Sequence, residues 1–65
     1  MMISVTLPDG SKREYQNGAT PMDVALSISE GLARNVLAAK VDGQVVDLNT
    51  PLEKSVELQL LTWND

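Results

Sequence analysis

Lys12-Arg13, with Tyr15 two residues on, is the one cluster in this chain that combines cations with an aromatic ring. Such a combination can neutralise phosphates and stack on bases. Arg34 and Lys40 would join it in space if the fold brought them near, giving a weak phosphate-contacting face. Against this stands the plainer reading of a charged edge strand, since one Tyr and one Trp cannot build the stacking platform of a single-strand binder. Trp63 and Leu61 form the other candidate contact, an apolar patch on the nominally polar side of the last strand. The candidate RNA or partner contacts are therefore Lys12, Arg13, Tyr15, Arg34 and Trp63.

No residue set points to catalysis. Histidine and cysteine are absent, which removes the commonest general base, the thiolate nucleophile and the usual zinc ligands. Carboxylates are numerous, but Asp23 belongs to a helix cap and Asp42 and Asp47 to a hairpin, so no pair converges on a pocket. No acidic run has the loop spacing of a calcium site. Asp9-Gly10-Ser11 has the composition of a phosphate loop, yet it joins two strands instead of opening a helix, and reads as a hairpin turn. The helix start at Thr20-Pro21-Met22 could bind an anion through free amides, but Thr20 and Asp23 themselves occupy those amides.

Composition narrows the classes further. Sixty-five residues and 7.0 kDa allow one domain with a modest core. A chain this small buries roughly 60% of its unfolded surface and retains only a few kcal/mol of net stability. Five basic against nine acidic residues give a net charge of −4 and a pI near 4.4. That balance repels phosphate backbones and DNA unless the cations gather on one face. The apolar runs are too short to span a bilayer. No charged segment followed by an apolar run opens the chain, so no secretory signal is expected and cytoplasm is the default location.

These residues must be positioned by strands around one helix. Ile3, Val5 and Leu7 alternate with Ser4 and Thr6, predicting a strand over residues 2–7 with one buried face. Pro8-Asp9-Gly10-Ser11 predicts the turn, and residues 12–16 a polar edge strand returning antiparallel. The helix is expected from Thr20, as N-cap with Pro21 at the first position and Asp23 completing a capping box, to Gly31 as its stop. Met22, Ala25 and Leu26, flanked by Val24 and Ile28, are expected to face the sheet, and Asp23, Ser27 and Glu30 the solvent. Residues 32–35 read equally as a further helical turn or a loop. A strand from Val36 or Leu37 to Val41, a two-residue Asp42-Gly43 hairpin and a strand over residues 44–48 follow. Thr50-Pro51-Leu52-Glu53 repeats the cap chemistry and predicts a short 3₁₀ or α turn. Val56, Leu58 and Leu60 mark residues 55–62 as the central buried strand. This order predicts an α+β fold of the β-grasp (ubiquitin-like) type, with the first and last strands parallel beneath the helix.

Three stretches carry a family resemblance: Val5-Thr6-Leu7-Pro8-Asp9-Gly10-Ser11, Ala19-Thr20-Pro21-Met22-Asp23-Val24-Ala25, and Ala39-Lys40-Val41-Asp42-Gly43-Gln44-Val45-Val46-Asp47-Leu48. Together they resemble the TGS domain, a module shared by threonyl-tRNA synthetases, Obg-related GTPases and SpoT/RelA enzymes. The opening and the helix start are most similar to those of bacterial threonyl-tRNA synthetases. SpoT-like versions often carry a histidine after the helix, which this chain lacks.

The resemblance implies an accessory, non-catalytic domain over residues 1–65, excised from a longer synthetase. Its partners would be the neighbouring domains of that synthetase and, weakly, tRNA. The resemblance places ATP, magnesium and zinc in the rest of the synthetase, so no cofactor is expected in this domain. The alternatives are a stand-alone ubiquitin-like protein-interaction module, or the TGS domain of a GTPase or SpoT-like regulator. A ubiquitin-like sulfur carrier is set aside because Trp63-Asn64-Asp65 lacks the Gly-Gly terminus that chemistry requires.

Overall fold

Ile3, Val5, Val24, Ala39, Leu52, Val56 and Leu58 form a single buried cluster, and they come from strands, helix and loop alike. The computed structural model describes residues 1–62. Five strands form one sheet: β1 (Met2–Thr6), β2 (Lys12–Gln16), β3 (Val36–Val41), β4 (Gln44–Val46) and β5 (Val56–Thr62), in the order β2-β1-β5-β3-β4. Two helices, α1 (Pro21–Ile28) and α2 (Glu30–Asn35), lie between β2 and β3 in the chain. β1 and β5 pair in parallel and the other pairs are antiparallel. This is the expected β-grasp arrangement, with β5 central and β2 at an edge.

Local chemistry explains α1. The Asp23 amide donates to Thr20 Oγ1 at 3.2 Å, and the Thr20 amide donates to Asp23 Oδ2 at 3.0 Å, a reciprocal capping box. The end of the helix differs from expectation. Ser29 adopts an extended conformation (φ −168°, ψ 135°), ends α1 by donating its amide to Ala25 O at 2.9 Å, and starts α2 by accepting from the Leu32 amide at 3.3 Å. A serine that can cap in both directions interrupts the helix two residues before Gly31, which lies inside α2. Residues 32–35 are accordingly helical.

Gly31 therefore needs no positive φ, and a Cβ there would meet only Ser29 Oγ at 3.5 Å, an ordinary contact. Replacing Gly31 with alanine should raise stability by about 0.5–1 kcal/mol, by removing backbone entropy from the unfolded chain. A urea midpoint at or below that of the original chain would contradict this placement.

The buried face of α1 is also rotated from the expected one. Pro21, Val24 and Ala25 are buried and Ile28 is half-buried, whereas Leu26 is 52% exposed. The Tyr15 hydroxyl lies 2.7 Å from Ser27 Oγ and so ties the Ser27 flank of the helix to β2. With Pro21, Val24 and Ala25 on the buried face, Leu26 faces away from the sheet.

The third difference is at Thr50-Pro51-Leu52-Glu53, where no helical turn forms. The Leu52 amide donates to Ala19 O at 2.8 Å and the Leu52 carbonyl accepts from the Gly18 amide at 2.7 Å. This extended pairing seats the Leu52 side chain in the core, at 3% exposure, and outweighs the local cap signal. β4 stops at Val46, short of the expected Leu48, whose carbonyl accepts from the Met22 amide at 3.2 Å.

Candidate functional site

Residues opposite each other in a ladder share a sheet face, so the register assigns each candidate side chain to a side. Val5 pairs with Arg13 and Ile3 with Tyr15, which places Arg13 and Tyr15 on the face that carries the helix. Thr6 pairs with Lys12 and with Glu57, and Lys40 pairs with Gln59, which places these on the opposite, open face. Lys12 and Arg13, adjacent in sequence, diverge to opposite sides.

Arg34 does not join them. It sits on α2 with its guanidinium 3.8 Å from the Glu30 carboxylate, an exposed pair one helical turn apart. α2 leads into Val36, which pairs with Thr62, whereas Lys12 shares a row with Thr6 and Glu57. These rows lie five residue steps apart along β5, roughly 17 Å at the usual strand rise. The expected assembly of Lys12, Arg13 and Arg34 is thus not formed, because strand alternation and the length of β5 separate them. Tyr15 is half-buried against the core and engaged with Ser27, so its ring serves packing. Trp63 lies outside the described residues, and its companion Leu61 is half-buried opposite Ala38.

The fold gathers a different set. A groove of about 470 Å³ crosses β5 between the two hairpin turns, lined by Thr6, Leu7, Pro8, Lys40, Glu57 and Gln59 among others. Lys12 and Ser55 line an adjoining depression with Thr6 and Glu57. Lys12 and Lys40 therefore flank Glu57 on the open face, and among the described residues neither lysine makes an ion pair. Strand alternation could have grouped Lys40, Glu57 and Gln59 from sequence, but only the register shows that Lys12 lies beside them.

Asp42 closes one end of this region. Its amide donates to Glu57 O and its Oδ1 accepts from the Glu57 amide, both at 2.9 Å, so the hairpin tip is pinned to β5. At the other tip, the Ser11 hydroxyl and amide donate to Asp9 Oδ1 at 2.7 and 2.9 Å and hold the Asp9 carboxyl below its ordinary value of 3.8. Asp9-Gly10-Ser11 is a self-satisfied turn, closed by the Leu7 amide donating to Ser11 O at 2.8 Å. No three acidic side chains among the described residues lie close enough together to hold a metal ion. No helix among them is long and apolar enough to cross a membrane.

Residues 3–62 match the family model of the TGS domain. The chain belongs to the TGS-domain family. In this TGS domain the three resembling stretches form β1 with its turn, the capped start of α1, and the β3–β4 hairpin with its following residues. The first and third of them also supply groove residues, among them Thr6, Leu7, Pro8 and Lys40, whereas Glu57 and Gln59 lie outside all three. The domain is similar to the threonine–tRNA ligase of Cytophaga hutchinsonii, with 62% identity over 64 residues, covering 98% of this chain and 10% of that protein. The threonine–tRNA ligases of Hyphomonas neptunium and Flavobacterium psychrophilum are 61% and 58% identical with the same coverage. The TGS domain spans about a tenth of the length of the curated relatives it matches.

Proposed function

We propose that this TGS domain is an accessory, non-catalytic positioning module of a cytoplasmic threonine–tRNA ligase. The observation that carries this reading is the alignment of 98% of the chain, at 62% identity, with one tenth of such a ligase. In that setting the domain is a folding unit of a longer chain, and its first partners are the neighbouring domains. By the resemblance to threonyl-tRNA synthetases, ATP, magnesium and zinc belong to the remaining chain. A weak contact with tRNA is made from the open face by Lys12 and Lys40.

Removing the domain from the full-length ligase should leave threonine activation intact, as measured by ATP–pyrophosphate exchange. Loss of exchange from an otherwise folded enzyme would overturn the non-catalytic reading. The tRNA contact is tested on the domain itself by amide chemical shifts during titration with threonine tRNA. Shifts should centre on Lys12, Thr6, Lys40 and Gln59 and fade as salt rises, and each of Lys12→Gln and Lys40→Gln should lower the salt slope by up to about one. Shifts centred on Arg34, or none at low salt, would remove the contact from the proposal.

A further inference from the structure

The hydrogen-bonding phase of β5 is set by β3. Because the Asp42 amide donates to Glu57 O and Lys40 lies opposite Gln59, Glu57 and Gln59 direct their main-chain groups toward β3. Leu58 and Leu60, out of phase with them, direct theirs toward the β1 side. Yet β1 pairs with β5 only at Val5↔Val56 and Thr6↔Glu57. After Thr6 the chain leaves that lane, since the Leu7 amide is used inside the turn and Pro8 has no amide hydrogen with which to continue the ladder. Both main-chain groups of Leu60 thus face a lane that holds no strand among the described residues. The groove between the hairpin turns runs beside it, with Leu7 and Pro8 on one wall and Leu58 and Gln59 on the other.

The outer edge strand β2 and the flank of central β5 beyond its pairing with β1 differ in chemistry. β2 presents three consecutive charges, Lys12, Arg13 and Glu14, a common protection against pairing with other chains. β5 from Leu58 to Thr62 reads Leu-Gln-Leu-Leu-Thr, with no charge, and half-buried Leu7 and Leu60 pack on the core beside it. An uncharged, leucine-rich edge is a liability in a lone domain but a docking site in one that forms a tenth of a longer chain.

We propose that an extended segment from the remaining nine tenths of the ligase chain adds as a strand alongside Leu58 and Leu60. It hydrogen-bonds to the Leu60 N–H and C=O, and sets an apolar side chain against Leu7 and Leu60. This rests on the reading that the domain works within a ligase. The β-addition fixes the domain's orientation through its backbone, leaving the open face with Lys12 and Lys40 exposed.

Amide hydrogen exchange tests this in the 65-residue chain, which has its own core, and in the full-length ligase. In the domain alone, the Leu60 amide should exchange within about ten-fold of an unstructured peptide, while the Gln59 amide, bonded to β3, is strongly protected. In the full-length ligase, Leu60 should slow by about 100-fold or more, to the level of Gln59. Equally fast exchange of Leu60 in both would overturn the proposal. Protection in the isolated domain that grows with its concentration would overturn it too, by assigning the lane to a second copy. The pyrophosphate-exchange test reads the proposed role and this one reads the lane, so either can fail without the other.

Discussion

Replacing Leu58 with alanine should leave the domain largely unfolded at room temperature. Leu58 is 2% exposed and among the largest fully buried side chains, on the central strand and in the one core cluster. Removing its three outer carbons costs the transfer free energy and leaves a cavity that a rigid sheet cannot close, together about 2–5 kcal/mol. A domain of this size holds only about 3–5 kcal/mol in its core, so the loss is comparable to the whole stability. Thermal unfolding followed by circular dichroism should show a midpoint lower by at least about 10 °C, or no cooperative transition. Leu26→Ala is the control, because half-exposed Leu26 contributes little burial and alanine suits the helix. Equal effects of the two substitutions would place the core elsewhere.

Gly43→Val should have the next largest effect, and it acts without a clash. Asp42 and Gly43 both have positive φ, 50° and 88°, as a type I′ turn requires, and no atom lies within 4 Å of a Cβ built on Gly43. The cost is therefore conformational, about 1–3 kcal/mol for a β-branched residue held in the left-handed region. The same turn aligns Asp42 with Glu57, so strain at Gly43 is transmitted to the central strand. A urea titration should show a lower midpoint with an unchanged slope. No loss of stability would mean that the hairpin takes another turn type in solution. Its effect should be opposite in sign to that of Gly31→Ala, although both replace a glycine, because only Gly43 has a backbone conformation that side chains resist.

Net charge and the Lys12-Arg13-Glu14 run keep the outer edge from pairing indiscriminately. The tRNA-facing role assigned to Lys12 and Lys40 uses the sheet face that neither helix covers.

Reading the residues in order was sufficient where the governing interactions span a few positions. The capping box of Thr20 and Asp23, the positive-φ hairpin of Asp42 and Gly43, the alternation of Ile3 and Val5, and the charged edge at β2 are all local. The turn at Asp9-Gly10-Ser11 likewise closes on itself. The family was legible for the same reason, since its recognisable stretches are those turns, caps and hairpins. Tertiary structure decided the rest. It chose the face of α1 that is buried, with Pro21, Val24 and Ala25 inside and Leu26 outward. It straightened Thr50-Pro51-Leu52-Glu53 because the main chain of Leu52 pairs with Gly18 and Ala19, more than thirty positions earlier. Most consequential for function, it placed Lys12 and Lys40 on one face, kept Arg34 away from that row, and left the lane beside Leu60 without a strand among the described residues. Those outcomes follow from cross-strand register, which depends on where distant segments meet and which a strand's own residues do not encode.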